Sequence, residues 1–228
     1  LTMASGSRPV DAQEGVAPFV TLPPGSPLPS GAECATRVRS APRGWEPNAS
    51  NAAPNETVGA PLTGSYVGQF DPAIEARVDG NFTGTTDEIL RWGACKWGFD
   101  EMDVRAQAYA ESTWRQNFQG DCNRQHDTQF GFNGCESVGI LQVKGADKPP
   151  THPGTWPNAH ISTAFNVDYT LAIRRLCFEG KETWLGPNYA AGDLWGCIGR
   201  WFSGDWYTGS AHYIGVVRGH LDTKPWTS

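Results

Sequence analysis

Apolar positions recur with a helical period over the second half of this chain, and no such period runs through its first sixty or so residues. Thr86 and Asp87 open a stretch in which Ile89, Leu90, Ala94 and Trp97 fall at helical spacing. Asp100 stands where an N-cap belongs, and the run from Val104 to Glu111 reads as a second helix. At about 100° per residue, Val104, Ala108 and Glu111 share one stripe, which turns a carboxylate toward the helix's own apolar side. Ser162 starts a third helix, with Phe165, Tyr169, Ala172 and Leu176 on one face and Gly180 as its stop. Further helices are predicted near residues 192–203 and 209–221. There is no alternating strand series and no internal repeat, and a small sheet fits only near residues 137–144. The pattern predicts a mainly α protein with at most a small sheet.

The chain divides unevenly. Ten of the seventeen prolines lie in the first 61 residues, among Gly, Ser, Ala and Asn. Residues 1–80 therefore read as an irregular Pro/Gly/Ser-rich extension, partly packed on the core, with Cys34 and Trp45 tying down its second half. Residues 81–228 carry the helical domain. Within it, residues 116–160 read as a long irregular stretch containing Cys122 and Cys135.

Composition narrows the function classes. Only 18% of residues are charged, while 11% are aromatic and ten are Trp. Trp and Tyr beyond the needs of a core line carbohydrate clefts, where flat rings stack on pyranose faces, although Trp residues also simply fill cores. A net charge of −6 argues against a nucleic-acid partner. No apolar run has the length of a membrane span. Residues 1–7 read as a vector-derived or processed end rather than a targeting signal.

The six cysteines form no CxxC and no paired zinc-type spacing, so they read as three disulfides of a secreted, extracellular protein. Many pairings are possible. Cys122–Cys135, Cys177–Cys197 and Cys34–Cys95 are preferred because the first two close short loops between neighbouring elements. The histidines are scattered, with His152 and His160 in a Pro-rich loop, and no metal or other cofactor is expected. A monomer is expected. Asn48, Asn55 and Asn81 stand in glycosylation sequons, which matter only in a host that glycosylates.

The candidate chemistry starts at Glu111. Desolvation against an apolar helix face raises a carboxyl pKa, as a general acid working near neutrality requires. The helix is followed by Ser112 and Trp114, then Ser137-Val-Gly139-Ile-Leu-Gln142-Val143, then Asn166 at the head of a helix, and finally Trp201-Phe-Ser-Gly204. In order and rough spacing this series resembles the lysozyme-like lytic transglycosylases and goose-type lysozymes of glycoside hydrolase family 23. Their pattern is Glu-Ser, Gly-Leu-Met-Gln, an Asn-headed helix and Tyr-Asn-Ala-Gly. The resemblance covers about residues 86–221 and implies a lysozyme-like α+β domain.

It also implies roles. Glu111 becomes the general acid/base that protonates a glycosidic oxygen. Ser112, Trp114 and Ser137 become candidate substrate contacts, as do Gly139, Gln142 and Asn166; the alternatives are a helix-end hydroxyl, a turn glycine, a satisfied amide and a helix cap. The family's Tyr aligns with Trp201, which keeps a stacking face but has no hydroxyl to place near Glu111, so Tyr207 or Tyr213 is needed to supply one. The span from Glu111 to Gly139 is also longer than the family's usual span. A second carboxylate decides between mechanisms. Asp127 and Glu136 flank the Cys122/Cys135 insertion and rank first, ahead of Asp121 and Asp205.

The implied activity is cleavage of β-1,4 bonds between N-acetylmuramic acid and N-acetylglucosamine in peptidoglycan, as a lytic transglycosylase or a lysozyme. Two alternatives stand beside it. One is the same fold acting as a glycoside hydrolase on a chitin-like or other glycan. The other is a non-catalytic glycan-binding module.

Overall fold

The computed structural model describes residues 17–40, 46, 48–123 and 134–227. Ten α-helices and three strands occur among them: α1 Gly31–Arg39, α2 Ala52–Asn55, α3 Tyr66–Phe70, α4 Pro72–Glu75, α5 Thr86–Trp97, α6 Glu101–Ser112, β1 Gln119–Cys122, β2 Cys135–Val138, β3 Val143–Lys144, α7 Asn158–Ile161, α8 Thr163–Phe178, α9 Leu194–Ser203 and α10 Ala211–Thr223. No helix among the described residues is long and apolar enough to cross a membrane. Mainly α with a small sheet is thus the architecture.

The helix signals in the sequence act as local physics requires. Thr85 caps α5 in a reciprocal box with Glu88, and Asp100 and Ser162 accept the first free amides of α6 and α8. Every residue of α8 is buried, making it the axis of the core. Helix α5 packs along it, and at Gly93 a Cβ would stand 2.5 Å from Val167 Cγ1, closer than any side chain tolerates. Helix α6 lies against α5 and α10, and α9 against α8 and α10. The disulfides are Cys34–Cys95, Cys122–Cys135 and Cys177–Cys197, the pairing preferred in the sequence. They tie α1 to α5, β1 to β2 and α8 to α9.

Two expectations need correction. The segment before residue 80 is not simply irregular. Ser30 opens α1 with a full capping box, and Cys34 and Val38, four residues apart on one face, are buried. Phe19, Leu62, Val67, Ile74 and Val78 join the same apolar cluster as α5 and α8. The 116–160 stretch is also less irregular than expected, because the antiparallel sheet begins at Gln119, with Gly120 opposite Ser137 and Ser137 opposite Lys144. Short strands of mixed polarity carry little alternation to read. Trp45 and Asp127 lie outside the described residues.

Asp168 of α8 holds the early segment to the core. Its carboxylate accepts from Lys96 Nζ (2.8 Å), Trp97 Nε1 (2.7 Å) and the backbone amides of Asp79 and Gly80 (both 2.9 Å). Asp168 and Lys96 are both buried. Removing one partner of a buried pair strands the other, so Asp168→Ala is expected to lower stability by about 3–5 kcal/mol. A denaturant unfolding curve reads this, and a midpoint within error of the wild type would contradict it.

Candidate active site

Helix α6 ends at Ser112, and Glu111 on its last turn faces a cleft of about 650 Å³. The cleft is also lined by Gly120, Asp121, Ser137, Gln142, Lys144, His152, Trp201, Phe202 and Tyr213. Glu111 is half-buried, and the Tyr213 hydroxyl of α10 donates to its Oε1 in a short hydrogen bond. Burial pushes the Glu111 carboxyl up to about 8; the Tyr213 hydrogen bond opposes the rise and the negative charge of Asp121 adds to it. The carboxyl is therefore largely protonated at neutral pH. Burial, followed by the neighbouring carboxylate, raises Tyr213 well above the ordinary phenol range, so its proton stays in place. Deeper in the core, Gln107 Oε1 accepts from Arg174, whose side chain is buried.

The backbone leaving α6 is held in an unusual shape. Thr113 and Trp114 both have left-handed φ (52° and 61°), as do Asp121 (51°) and Gln142 (54°) beside the cleft. Each non-glycine residue so placed costs on the order of 1–3 kcal/mol and persists only when its surroundings fix it. Here they do: Asn48 donates to the Thr113 and Trp114 carbonyls, Asn51 donates to that of Trp114, and the Trp114 indole N–H reaches the Arg105 carbonyl. The residues before position 80 thus shape the exit from the Glu111 helix. Of the sequon asparagines, Asn55 is 3% exposed and bonded to Glu46 and Thr86, which leaves no room for a glycan in the folded chain.

The structure separates the expected site residues into two groups. Ser137, Gln142, Trp201 and Tyr213 line the cleft with Glu111, and so does Asp121. Ser137 Oγ donates to Asp121 Oδ2 at 2.5 Å across the β1–β2 pair. Gln142 uses its amide N–H on the Phe118 and Gly139 carbonyls, and its Oε1 crowds Gly120 so closely that a Cβ there would sit 2.2 Å away. The Trp201 indole N–H donates to the Leu141 carbonyl, and its ring stacks on His152.

The second group corrects the expectation of substrate contacts. Ser112 is buried, and its hydroxyl bonds the Ile140 carbonyl at 2.8 Å, joining α6 to the 139–142 turn. Trp114 is 1% exposed and stacks on Trp226, so it is core. Asn166 spends its amide on the Val138 and Ala159 carbonyls and the Leu141 amide. Gly139 (φ 86°) is required because any Cβ would meet Asn166 Nδ2 at 2.1 Å. These residues build the wall without lining the cleft. Tyr207 is exposed and donates to Asp193, so of the two tyrosines it is Tyr213 that reaches Glu111.

The carboxylates sort in the same way. Glu136 is buried on β2, is not among the residues that line the cleft, and pairs at 2.7 Å with Lys144, which is. Asp205 is exposed and outside the cleft lining, and Asp127 lies outside the described residues. Asp121 is the candidate that shares the cleft with Glu111.

Sequence reasoning missed Tyr66, His152, Trp184, Arg200 and Phe202 as lining residues. His152 is buried and bonded through Nδ1 to the Tyr169 hydroxyl at 2.9 Å; burial pushes it down to about 3, so it is neutral. Among the described residues no three His, Cys, Asp or Glu side chains gather as a metal site. No protein-family model, curated protein or solved structure matches the chain.

Proposed function

We propose that this chain is a secreted enzyme that cleaves the β-1,4 bonds of an amino-sugar glycan, with Glu111 as the general acid/base. The observation that carries the proposal is the Glu111 carboxyl on the wall of an aromatic-lined cleft, bonded by the Tyr213 hydroxyl and with its pKa raised by burial. A strongly raised carboxyl in a cleft with a specific partner is what glycosidic proton donation requires. The ordered resemblance to glycoside hydrolase family 23 supports the same chemistry and points to peptidoglycan as the leading substrate.

In this proposal Glu111 delivers its proton to the leaving oxygen as the glycosidic bond breaks. Tyr213 then stabilises the carboxylate that is left. Trp201 and Phe202 offer flat faces to the sugars on either side. Asp121, bonded to Ser137, is the candidate base that would activate a water for hydrolysis. Without such a base, attack by the sugar's own C6 hydroxyl gives an anhydro end.

A chitin-like glycan is the second reading, favoured by charge. Among the described residues, the cations lining the cleft, Lys144 and Arg200, are paired with Glu136 and Glu182, so the described wall carries no surplus positive charge for an anionic polymer. Three disulfides fit an oxidising compartment.

The test is product analysis by mass spectrometry after incubation with peptidoglycan and with soluble N-acetylated glycans. Reducing ends indicate hydrolysis and anhydro ends transglycosylation. If hydrolysis is observed, Asp121→Asn is expected to reduce it by about a hundredfold or more. Undiminished hydrolysis would remove Asp121 from the mechanism. A wild type that binds glycans but cuts none would leave a binding module instead.

A further inference from the structure

Trp184 is an aromatic that acid/base chemistry at Glu111 leaves unexplained. It sits on the single turn Thr183–Leu185 between α8 and α9, lines the cleft, and is 48% exposed. An exposed indole ordinarily turns freely, yet this one is pinned. Its Nε1 donates to the Tyr66 hydroxyl at 3.0 Å. Tyr66 in turn donates to Glu182 Oε1 at 2.7 Å and accepts from Arg200 Nη2 at 3.0 Å. Arg200 also pairs with Glu182 at 2.6 Å. The tyrosine hydroxyl thus has its donor and both acceptor positions engaged.

This pin is costly. Glu182 is fully buried and Arg200 is 5% exposed, so two charges have left water. Glu182 Oε2 and Arg200 Nε are buried without a hydrogen-bond partner among the described residues. An apolar cluster in the same place would stabilise the fold at least as well. What the polar cluster provides is orientation. The Arg200 guanidinium lies 5.6 Å from the Trp184 ring centre and backs it, which turns the exposed part of the indole toward open space. A chain of ring contacts then links this corner to Trp201, since Tyr66 packs edge-on against His152 and His152 stacks on Trp201.

We propose that Trp184 is a stacking platform for an uncharged pyranose unit of a glycan bound along the cleft, and that Tyr66, Glu182 and Arg200 hold its plane. This rests on the glycan-cleaving proposal for the same cleft. The class of ligand follows from the chemistry of the corner. A rigid indole face suits the C–H face of a sugar ring, and neutralisation of Arg200 by Glu182 removes the pull that an anionic sugar would need.

The test measures binding of an N-acetylated chitooligosaccharide series and of soluble peptidoglycan chains to Glu111→Gln by calorimetry, alongside wild-type cleavage of the same glycans. In the Glu111→Gln background, Trp184→Ala is expected to weaken binding of the longer oligosaccharides roughly tenfold. Trp184→Tyr, which keeps a flat ring, is expected to recover most of the loss, and in the active enzyme the Trp184→Ala loss falls on KM. Unchanged affinity in Trp184→Ala overturns the platform while leaving the enzyme reading intact. Trp184-dependent binding by a wild type that cleaves nothing overturns the enzyme reading and keeps the platform. Failure of Glu111→Gln to bind any of the glycans overturns the platform, and absence of cleavage by the wild type as well overturns both.

Discussion

Glu111→Gln is expected to abolish cleavage and, at the same time, to make the protein more stable in mild alkali. Glutamine keeps the shape of the side chain and cannot give up a proton, so the loss of turnover should be about a hundredfold to ten-thousandfold. The stability effect follows from linkage. The folded carboxyl titrates at about 8 and an unstrained one at 4.5, so between those values the folded state holds a proton that the unfolded state has released. Stability from this group is complete below about pH 4.5 and is lost as pH rises through about 8. Above that, the wild type keeps an ionised carboxylate in a poorly hydrated place. Discounted for the side chain's partial exposure, the penalty is on the order of 2–4 kcal/mol. Glutamine removes it. Unfolding curves at pH 4.5 and pH 9 should therefore nearly coincide for the two proteins at the lower pH, with the variant clearly ahead at the higher. Equal stability at both would mean that Glu111 titrates normally, and the proton-donor role would go with it.

That trade of stability for chemistry was half legible in the sequence. The helix period put Glu111 on the stripe of Val104 and Ala108, both fully buried, which is a local inference needing no partner. The partner was not legible. Tyr213 lies 102 residues away on another helix, and nothing in its neighbourhood distinguishes it from Tyr207. The motif residues illustrate the opposite error. Ser112, Gly139 and Asn166 are joined by hydrogen bonds and close packing around the turn at residues 139–142, so their spacing records how the wall is built. A motif read from one sequence cannot separate residues that touch a ligand from residues that shape what touches it.

The early segment shows a third limit. Its proline content hid helix α1 and gave no sign that Asn48 and Asn51 clamp the turn after Glu111, or that Tyr66 would reach the cleft. Such contacts join residues more than sixty positions apart, where local periodicity is silent. The cysteines did better because a covalent pair carries its own distance limit. Of the many possible pairings, Cys122–Cys135 and Cys177–Cys197 are preferred because they close short loops, and the structure has both together with Cys34–Cys95.

Tyr213→Phe is expected to shift the working pH range of the proposed cleavage upward and to slow it. In the wild type the rate should fall as pH rises through about 8, where Glu111 loses the proton it donates. The Tyr213 hydroxyl favours the ionised carboxylate, and burial together with Asp121 favours the protonated form. Phenylalanine keeps the ring that stacks on Phe202 at 4.6 Å and deletes only the hydrogen bond. A hydrogen bond to a charged group contributes about 1.5–3 kcal/mol, so the Glu111 pKa should climb by roughly one to two units. The alkaline limb of kcat/KM should move up by the same amount. A carboxyl that holds its proton so tightly gives it up less readily, and the product carboxylate has lost its donor, so the plateau rate should drop about tenfold or more. Carbon NMR of labelled glutamate reads the same titration without any substrate. A limb that stays near 8, or moves down, would show that the short contact between Tyr213 and Glu111 does not set the acid's strength. The hydroxyl would then matter only as a wall of the cleft. An upward shift in both measurements would instead identify Tyr213 as the group that keeps a buried acid usable near neutrality, supplying the hydroxyl that Trp201 lacks.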